Sequence, residues 1–486
     1  MSSETHAVPL IRIAGTAARE PASRPDDAEA VIRRAEQLRR GLTGNFRDEA
    51  VSSIYAEAER LSRRVVKREG QRSLDWDQRI DKLVTSPILG LPLMLLILAV
   101  VFWLTIAGAN VPSALLADGF FWFEDKAAAL FDSFGSPWWL TGFIWHGVFR
   151  GLAWVISVML PPMAIFFPLF TILEDLGYLP RVAFNLDFLF RRAGAHGKQA
   201  LTMAMGFGCN AAGVIATRVI DSPRERLVAI LTNNFVPCNG RFPTLIMLAT
   251  IFVAASFPPV IASLAAAGAV VAIVVLGVVF TLLMSWLLSK TVLKGEASTF
   301  TLELPPYRRP GIARIFYTSL IDRTLFVLWR AMLTAAPAGA VIWLLGNIYV
   351  GGTSLATHSA NFLGPLGHAI GLDGVILLAY VIAIPANEIV VPTMLMVYAG
   401  GAMMSDMESM SELRTLLVDQ NGWTLLTAIN LMLFSLLHNP CATTILTIYK
   451  ETLSARWTAL SALMPLAVAF LVTFLTATIA RLFGWV

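Results

Sequence analysis

The sequence contains three cysteines, and each stands beside residues that interrupt an apolar segment. Cys209 lies in Gly-Phe-Gly-Cys-Asn, Cys238 in Val-Pro-Cys-Asn-Gly and Cys441 in His-Asn-Pro-Cys-Ala. Gly and Pro unwind a helix within a membrane, and the freed carbonyls, a neighbouring amide and the sulfur can then face a cavity. Sulfur, carbonyl and carboxylate ligands together suit a divalent transition metal better than sodium or magnesium. The three breaks therefore predict a metal path.

These cysteines also have a purely structural interpretation. A buried cysteine is often only a small apolar side chain, and a single one in a helix would favour that interpretation. Three cysteines at three separate breaks favour a function instead, because polar groups at membrane depth are costly and usually functional. Asn210, beside Cys209, belongs to the same predicted site.

Four further polar residues are candidates for this path. Glu388 interrupts another apolar stretch, and an intramembrane carboxylate indicates a functional site, with a hydrogen bond to exposed backbone amides as the alternative. Glu174 and Asp175 end a predicted span, where they would attract a cation or remain solvated. His438 lies one turn before Cys441, on nearly the same predicted helix face. The arginines near the first breaks are expected to be topology anchors: Arg218, Arg224, Arg226 and Arg241.

The composition is that of an integral membrane protein. Hydrophobic residues make up 56% of the 486 residues and charged residues only 14%, against about 25% charged in a soluble domain. Several apolar segments exceed the roughly 20 residues that cross a bilayer as a helix. The ten-residue alternation of a membrane barrel is absent from the sequence. We therefore predict an all-α, polytopic membrane protein.

The apolar pattern predicts seven spans and two interrupted stretches. The spans are 87–108, 147–173, 227–250, 260–288, 326–349, 423–448 and 457–484. The interrupted stretches are 199–217 and 372–402, which we expect to be re-entrant. The loops at 178–198, 218–226, 290–325 and 450–456 are basic, which indicates the cytoplasmic side; those at 109–137, 350–371 and 403–421 are acidic or uncharged, apart from Lys126 and Arg414.

This threading predicts two gate-type repeats, inverted relative to each other, with broken or re-entrant helices. Secondary transporters share that architecture and bind substrate at the repeat interface. Cys209 and Cys441, in opposite repeats, should then approach one another, with Cys238 and Glu388 in the same region. The predicted organisation is a disordered N-terminus (1–25), a cytosolic helical appendage and tether (26–80), a lead span with an external loop (81–146), gate repeat 1 (147–290), a cytosolic linker (291–325) and gate repeat 2 (326–486).

Sequence signatures of enzymes are not found in these 486 residues. There is no Gly-x-x-x-x-Gly-Lys-Ser/Thr phosphate loop, no His-Glu-x-x-His and no Gly-x-Ser-x-Gly. We expect no catalytic residues, no permanently bound cofactor and no GTP site in this sequence.

Several motifs, in this order, resemble the FeoB-type ferrous iron transporters. They are Glu174-Asp-Leu-Gly-Tyr178, Gly194-Ala-His-Gly-Lys198, Gly206-Phe-Gly-Cys-Asn210, Ala216-Thr-Arg218, Glu303-Leu-Pro-Pro-Tyr307, Pro440-Cys-Ala442 and Lys450-Glu451. The lead-in Arg79-Ile-Asp-Lys82 is similar as well. The resemblance covers about residues 50–484, the whole membrane portion of that family.

The resemblance implies Fe(II) uptake as the function, with Cys209, Cys441, Cys238 and Glu174 on the iron path. It implies a bacterial or archaeal cytoplasmic (inner) membrane, with a multi-pass chain whose N-terminus is cytoplasmic. The expected partners are the bilayer, a separately encoded GTPase, a small FeoA-like cytosolic protein and further copies of the chain, with no nucleic acid. The family's N-terminal GTPase domain has no counterpart in this sequence, and its Ala-Lys-Glu is Ala386-Asn387-Glu388 here.

Two other functions remain open at this point. One is a permease for nucleosides, another small solute or another divalent metal, and the other is a non-transporting membrane sensor or scaffold. Sulfur at the breaks favours a metal, whereas an aromatic and amide-lined site would favour a nucleoside.

The charge pattern predicts that residues 350–371 and 403–421 lie on the same, external side. Single cysteines introduced into each loop of a cysteine-free variant should react with an impermeant thiol reagent added from outside. Labelling of the second loop only from the cytoplasmic side would contradict the inverted repeats.

Overall fold

The computed structural model describes residues 46–65, 74–86, 88–295, 307–400 and 410–484, with isolated residues 30, 31, 34 and 37. The predicted disordered segment 1–25 and part of the linker, 296–306, lie outside the described residues. The chain divides into two compact units, Met1–Gln78 and Arg79–Val486. In the first unit, the amphipathic pattern forms the helix Phe46–Val65, whose apolar Ile54 and Leu61 are exposed.

Helices dominate the described residues of both units. In chain order they are α1 (Phe46–Val65), α2 (Leu74–Val84), α3 (Gly90–Ser133), α4 (Trp138–Asp175, π-helical at Gly142–Phe149), α5 (Tyr178–Arg192), α6 (Gln199–Gly208), α7 (Asn210–Ala216), α8 (Pro223–Thr232), α9 (Phe242–Leu248), α10 (Pro259–Thr291), α11 (Ile312–Tyr317), α12 (Phe326–Asn347), α13 (Leu355–Ala369), α14 (Gly374–Ile382), α15 (Val390–Tyr398), α16 (Met410–Arg414), α17 (Leu425–Leu437), α18 (Ala442–Thr452) and α19 (Ala455–Leu482). Two short antiparallel strands, β1 (Tyr349–Val350) and β2 (Thr353–Ser354), form a hairpin.

The seven predicted spans are confirmed among the described residues. Seven helical segments are long and apolar enough to cross a membrane. They are Gly90–Ser133, Trp138–Asp175, Pro223–Ser256, Leu264–Thr291, Val327–Asn347, Leu425–Thr452 and Ala455–Leu482. The chain is therefore a multi-pass, helical membrane protein.

Three segments predicted as loops are largely helical. Helix α3 continues to Ser133 through most of the predicted loop 109–137, α5 occupies most of 178–198, and α13 occupies most of 350–371. Charge distribution indicates the side of the membrane on which a segment lies and says nothing about its backbone conformation. The second interrupted stretch begins earlier than predicted, because α13 and α14 form a pair bent by 111°, which is either a broken span or a re-entrant loop.

The same order of elements occurs in both halves of the membrane unit. In the first half α4 is followed by the pair α5 and α6, by α7, and by α8 to α10. In the second half α12 is followed by α13 and α14, by α15, and by α17 to α19. Each half therefore contains two interruptions: after α6 and after α8 in the first half, and after α14 and after α17 in the second.

The interrupted spans lie inside the bundle, and three of the unbroken ones lie at its periphery. The most apolar window is 61% buried in Pro223–Ser256 and 72% buried in Leu425–Thr452. It is only 19%, 17% and 22% buried in the spans formed by α3, α10 and α19. Irregular backbone carries unpaired polar groups, which lipid cannot satisfy, so only protein-covered spans can be broken.

Arg241 satisfies much of this irregular backbone. Its guanidinium donates to the carbonyl oxygens of Leu436 and His438 at 2.8 and 3.2 Å, and to Asn234 O at 2.9 Å. A buried cation here is stabilised by the partial negative charge at the C-terminal end of α17. The expectation that Arg241 is a topology anchor is wrong, because the side chain is fully buried between the two halves of the unit.

The variant Arg241→Met should destabilise the fold. It leaves several buried carbonyls without a donor, at a cost of roughly 3 kcal/mol. Thermal unfolding in nanodiscs, followed by tryptophan fluorescence, measures the loss. The control is Arg218→Met, which removes an exposed guanidinium paired with Glu451 and should cost no more than about 1 kcal/mol. Equal effects of the two variants would contradict the role given to Arg241.

Candidate metal path

Three thiols and a carboxylate line one small cavity where the helix breaks meet. Cys209, Cys238, Cys441, Glu388 and Asn210 all contribute to its wall, and its volume is about 30 Å³. The predicted meeting of these residues is confirmed, whereas their role as metal ligands stays a prediction.

The backbone places each cysteine at the start of a helix. Cys209 is extended, with φ −154° and ψ 124°, and separates α6 from α7. Cys238 and Cys441 each follow a proline and also have extended backbones, directly before the 3-10 turn Asn239–Arg241 and before α18, respectively. Because proline disfavours a helical conformation in the residue before it, both segments stay unwound up to the cysteine.

Asparagine side chains hold the breaks together. Asn233 donates to Asn210 O at 3.1 Å, which joins the two breaks of the first half. Asn234 donates to His438 O at 2.7 Å, which joins the first half to the second. The backbone N–H of Ala442 donates to Ile384 O at 2.8 Å. The cavity is thus surrounded by backbone whose polar groups find partners across the breaks.

Glu388 enters the cavity from the second half and packs against the break of the first. The indole of Trp154, on α4, donates to Glu388 O at 3.3 Å and fixes the backbone there. A methyl group added at Gly240 would overlap Oε1 of Glu388. The absence of a side chain at Gly240 is therefore what lets this carboxylate approach Cys238.

His438 does not line the cavity, contrary to its expected place beside Cys441. The helix ends at Leu437, so His438 and Cys441 do not share a helix face. The imidazole is buried and packs against the rings of Tyr380 and Phe434. Its Nδ1 lies 2.9 Å from Ser435 O and its Nε2 lies 3.3 Å from Asn387 Oδ1. His438 therefore has a structural environment that Pro440 creates by ending the helix early.

Glu174 lines a second, larger cavity. This vestibule has a volume of about 780 Å³ and is also lined by Arg218, Arg330, Lys450 and Glu451. Five helices contribute to both cavities: α4, α6, α7, α12 and α18. Along α4, Glu174 lies 11 residues beyond the cavity residue Met163, or about 16 Å at 1.5 Å per residue. Asp175 is exposed and lines neither cavity.

An ion pair closes one side of the vestibule between the two halves of the unit. Glu451 accepts from Arg218 Nη2 at 2.6 Å and from Arg226 Nη2 at 2.5 Å. The hydrogen bonds to Glu451, together with its charge, raise the pKa of Arg218 above its ordinary value. Arg218 precedes α8, Arg226 lies in the first turn of α8, and Glu451 lies in α18. This contact therefore joins the two halves at the level of the loops predicted to be cytoplasmic.

Two methionines also line the small cavity that contains the three cysteines, and the sequence analysis did not identify them. Met159 and Met163 lie one helical turn apart on α4. Thioether sulfur is a soft ligand, like thiolate. The available signal was the position of these methionines on either side of Pro161-Pro162, another helix-breaking pair.

The cysteine and glutamate side chains line the same cavity, but they do not converge on one point. Among the described residues, no three His, Cys, Asp or Glu side chains lie close enough together to hold a metal ion. An ion in the cavity would thus meet at most two of these side chains at once in this conformation. Transport sites need such incomplete coordination, since the ion must leave as well as bind.

Two protein-family models match the sequence of this chain. The family model described as nucleoside recognition ("Gate") matches residues 156–252 and 328–455, one segment in each half. The model described as the C terminus of ferrous iron transport protein B matches residues 270–322. The chain belongs to the FeoB family. It corresponds to the membrane portion of FeoB-type proteins.

Curated FeoB relatives are similar over most of this chain. The Fe(2+) transporter FeoB of Staphylococcus aureus (strain MSSA476) is 30% identical over 420 residues, 84% of this chain and 60% of the relative. That of Leptospira biflexa is 26% identical, over 85% of this chain and 61% of the relative. A fusion protein of Porphyromonas gingivalis, named Fe(2+) transport protein A/Fe(2+) transporter FeoB, is 27% identical, over 83% of this chain and 52% of the relative. The chain thus spans little more than half the length of these relatives. No solved structure matches it significantly.

The variant Gly240→Ala should displace Glu388 without unfolding the protein. Gly240 has a backbone conformation that alanine adopts freely, so the added methyl group acts by displacing Glu388. Under the transport function proposed below, metal uptake should fall by about tenfold, with an unchanged folded yield. Gly268→Ala is the control, because its added methyl group would meet no atom within 4 Å. Normal uptake by Gly240→Ala would show that the position of Glu388 is unimportant.

Proposed function

We propose that this chain carries Fe(II) across a cytoplasmic membrane through the cavity formed by its helix breaks. The observation that carries this proposal is the set of donors on one cavity: the thiols of Cys209, Cys238 and Cys441 with the carboxylate of Glu388. Fe(II) accepts both sulfur and oxygen ligands, whereas hard cations such as Mg²⁺ prefer oxygen alone. The names of the FeoB relatives, Fe(2+) transporters, support the same substrate.

The size of the cavity supports an ion as the substrate. Its volume of about 30 Å³ suits one ion or one water, since a water needs roughly 10–15 Å³. Sites for drug-sized molecules occupy about 300–1,000 Å³. A nucleoside would therefore not fit between the cysteines.

The vestibule supplies the inner part of the proposed path. Its Glu174 carboxylate attracts a cation that leaves the cysteines, and its arginines and lysine weaken the hold on that cation. The Arg218–Glu451–Arg226 contact lies at the inner end and must separate for an ion to pass between the halves. In this account the N-terminus is cytoplasmic, as the basic loops beside the vestibule indicate.

A nucleoside permease remains the second candidate. The matching family model is described as nucleoside recognition, which favours this function, and the vestibule volume of about 780 Å³ is large enough for a nucleoside. An uptake experiment with a labelled nucleoside separates the two candidates. Accumulation of the nucleoside in vesicles would support the nucleoside permease. Inhibition of Fe(II) uptake by a nucleoside that does not itself accumulate would support the Fe(II) transporter, with the nucleoside bound only in the vestibule.

We extend the proposal to partners. The relative in Porphyromonas gingivalis is a fusion of Fe(2+) transport protein A with FeoB, which supports association of this chain with a FeoA-like protein. A GTPase encoded separately and further copies of the chain are the other proposed partners. The exposed apolar face of α1 is the proposed docking surface for the GTPase.

Proteoliposomes that contain this chain alone should accumulate Fe(II) under anaerobic conditions. Each of Cys209→Ser, Cys238→Ser and Cys441→Ser should reduce uptake by about tenfold or more, since even second-shell changes at metal sites cost 10- to 100-fold. Met203→Leu is the matched control, because it removes a buried sulfur that does not line the cavity. The proposal fails if folded wild-type protein gives no uptake, or if the three serine variants transport normally.

A further inference from the structure

The two halves of the membrane unit place four equivalent positions around the cysteine cavity. In the first half these are the residue after α6 and the residue after Pro237. In the second half they are the break residue between α14 and α15 and the residue after Pro440. The four residues are Cys209, Cys238, Ala386 and Cys441, and all four line the cavity.

Backbone geometry supports this correspondence. Cys209 has φ −154° and ψ 124°, and Ala386 has φ −152° and ψ 119°. Each is followed by an asparagine, Asn210 and Asn387, which begins the next helical segment. Cys238 and Cys441 have φ −83°, ψ 169° and φ −64°, ψ 159°. The pairs therefore match in conformation and in the residue type beside them.

We propose that the helix breaks around the cavity form a pseudo-two-fold set of four donor positions, of which an ion contacts at most two at once in this conformation, and that Ala386 is the position left without a donor. This inference rests on the proposed passage of a divalent metal through the cavity. If the breaks moved together around an ion, four cysteines at these positions would complete the closed tetrahedral set that holds structural zinc permanently. An alanine at the fourth position keeps the site open, so that an ion can leave it.

The vacant position also sets the metal preference. With three sulfur positions instead of four, the site loses affinity for soft, thiolate-preferring cations such as Cd²⁺. The carboxylate of Glu388, two residues beyond Ala386, supplies an oxygen in place of the fourth sulfur. Ala386 is thus a specificity-determining residue, because it keeps a mixed sulfur and oxygen environment that suits Fe(II).

An exchange of donors tests the symmetry directly. The variant Cys209→Ala should weaken Cd²⁺ binding by about tenfold, measured anaerobically by calorimetry in nanodiscs. The double variant Cys209→Ala/Ala386→Cys should recover most of that loss, because the thiol returns at the equivalent position. The control is Cys209→Ala/Ala331→Cys, whose new thiol lies on the same cavity but not at a helix break, and which should recover little.

The single variant Ala386→Cys completes the test. Four thiols should bind Cd²⁺ about tenfold or more tighter than the wild type and should slow Fe(II) uptake into vesicles. Unchanged Cd²⁺ affinity in folded Ala386→Cys, or equal recovery by the Ala331 control, would overturn the inference. Failure of both Ala386→Cys and the near-isosteric Ala386→Ser to fold would also count against it, because a vacant donor position must accept a donor.

These outcomes can be distinguished from those that test the proposed function. If wild-type vesicles accumulate no Fe(II) while the exchanged thiol restores Cd²⁺ binding, the transport proposal fails and the symmetric site stands. If Fe(II) uptake is found but the exchange restores nothing, the transport proposal stands and the vacant position is refuted.

Discussion

Broken helices inside a membrane must find partners for their backbone within the protein, and this constraint organises the whole unit. Lipid offers no hydrogen bonds, so each unwound segment is expelled from the periphery toward protein. The four breaks consequently meet, and Asn233, Asn234 and Arg241 bridge them. The unbroken spans formed by α3, α10 and α19 have no such requirement and surround the interior with lipid-facing side chains.

The chemistry of the site follows from the same constraint. A side chain at a break lies where the backbone turns, so Cys209, Cys238 and Cys441 face the space between the segments. Gly240 leaves room for Glu388 to enter from the opposite half. The result is a small space with sulfur and oxygen donors that do not close around an ion, connected through shared helices to a wider, charged vestibule. Such an arrangement suits passage of an ion better than permanent storage.

Much of this architecture could be predicted from the sequence, because its physical causes are local. Apolar length identified the seven spans, and Gly or Pro within apolar stretches identified the breaks that form the cavity. The roles of Arg241 and His438 could not be found in this way, because they depend on which carbonyls and rings the other half brings near. Met159 and Met163 were missed because methionine in an apolar helix looks like ordinary core. Charge patterns likewise indicated sides of the membrane, but they could not show that α5 and α13 are helical.

The central claim is that the cysteines at the breaks contact the transported metal. X-ray absorption at the iron edge, on anaerobic protein loaded with Fe(II) in nanodiscs, reports the ligand atoms directly. The account predicts sulfur in the first coordination shell of wild-type protein, and its loss when Cys209, Cys238 and Cys441 are all replaced by serine. A first shell of oxygen and nitrogen alone in the wild type, unchanged by those replacements, would contradict it.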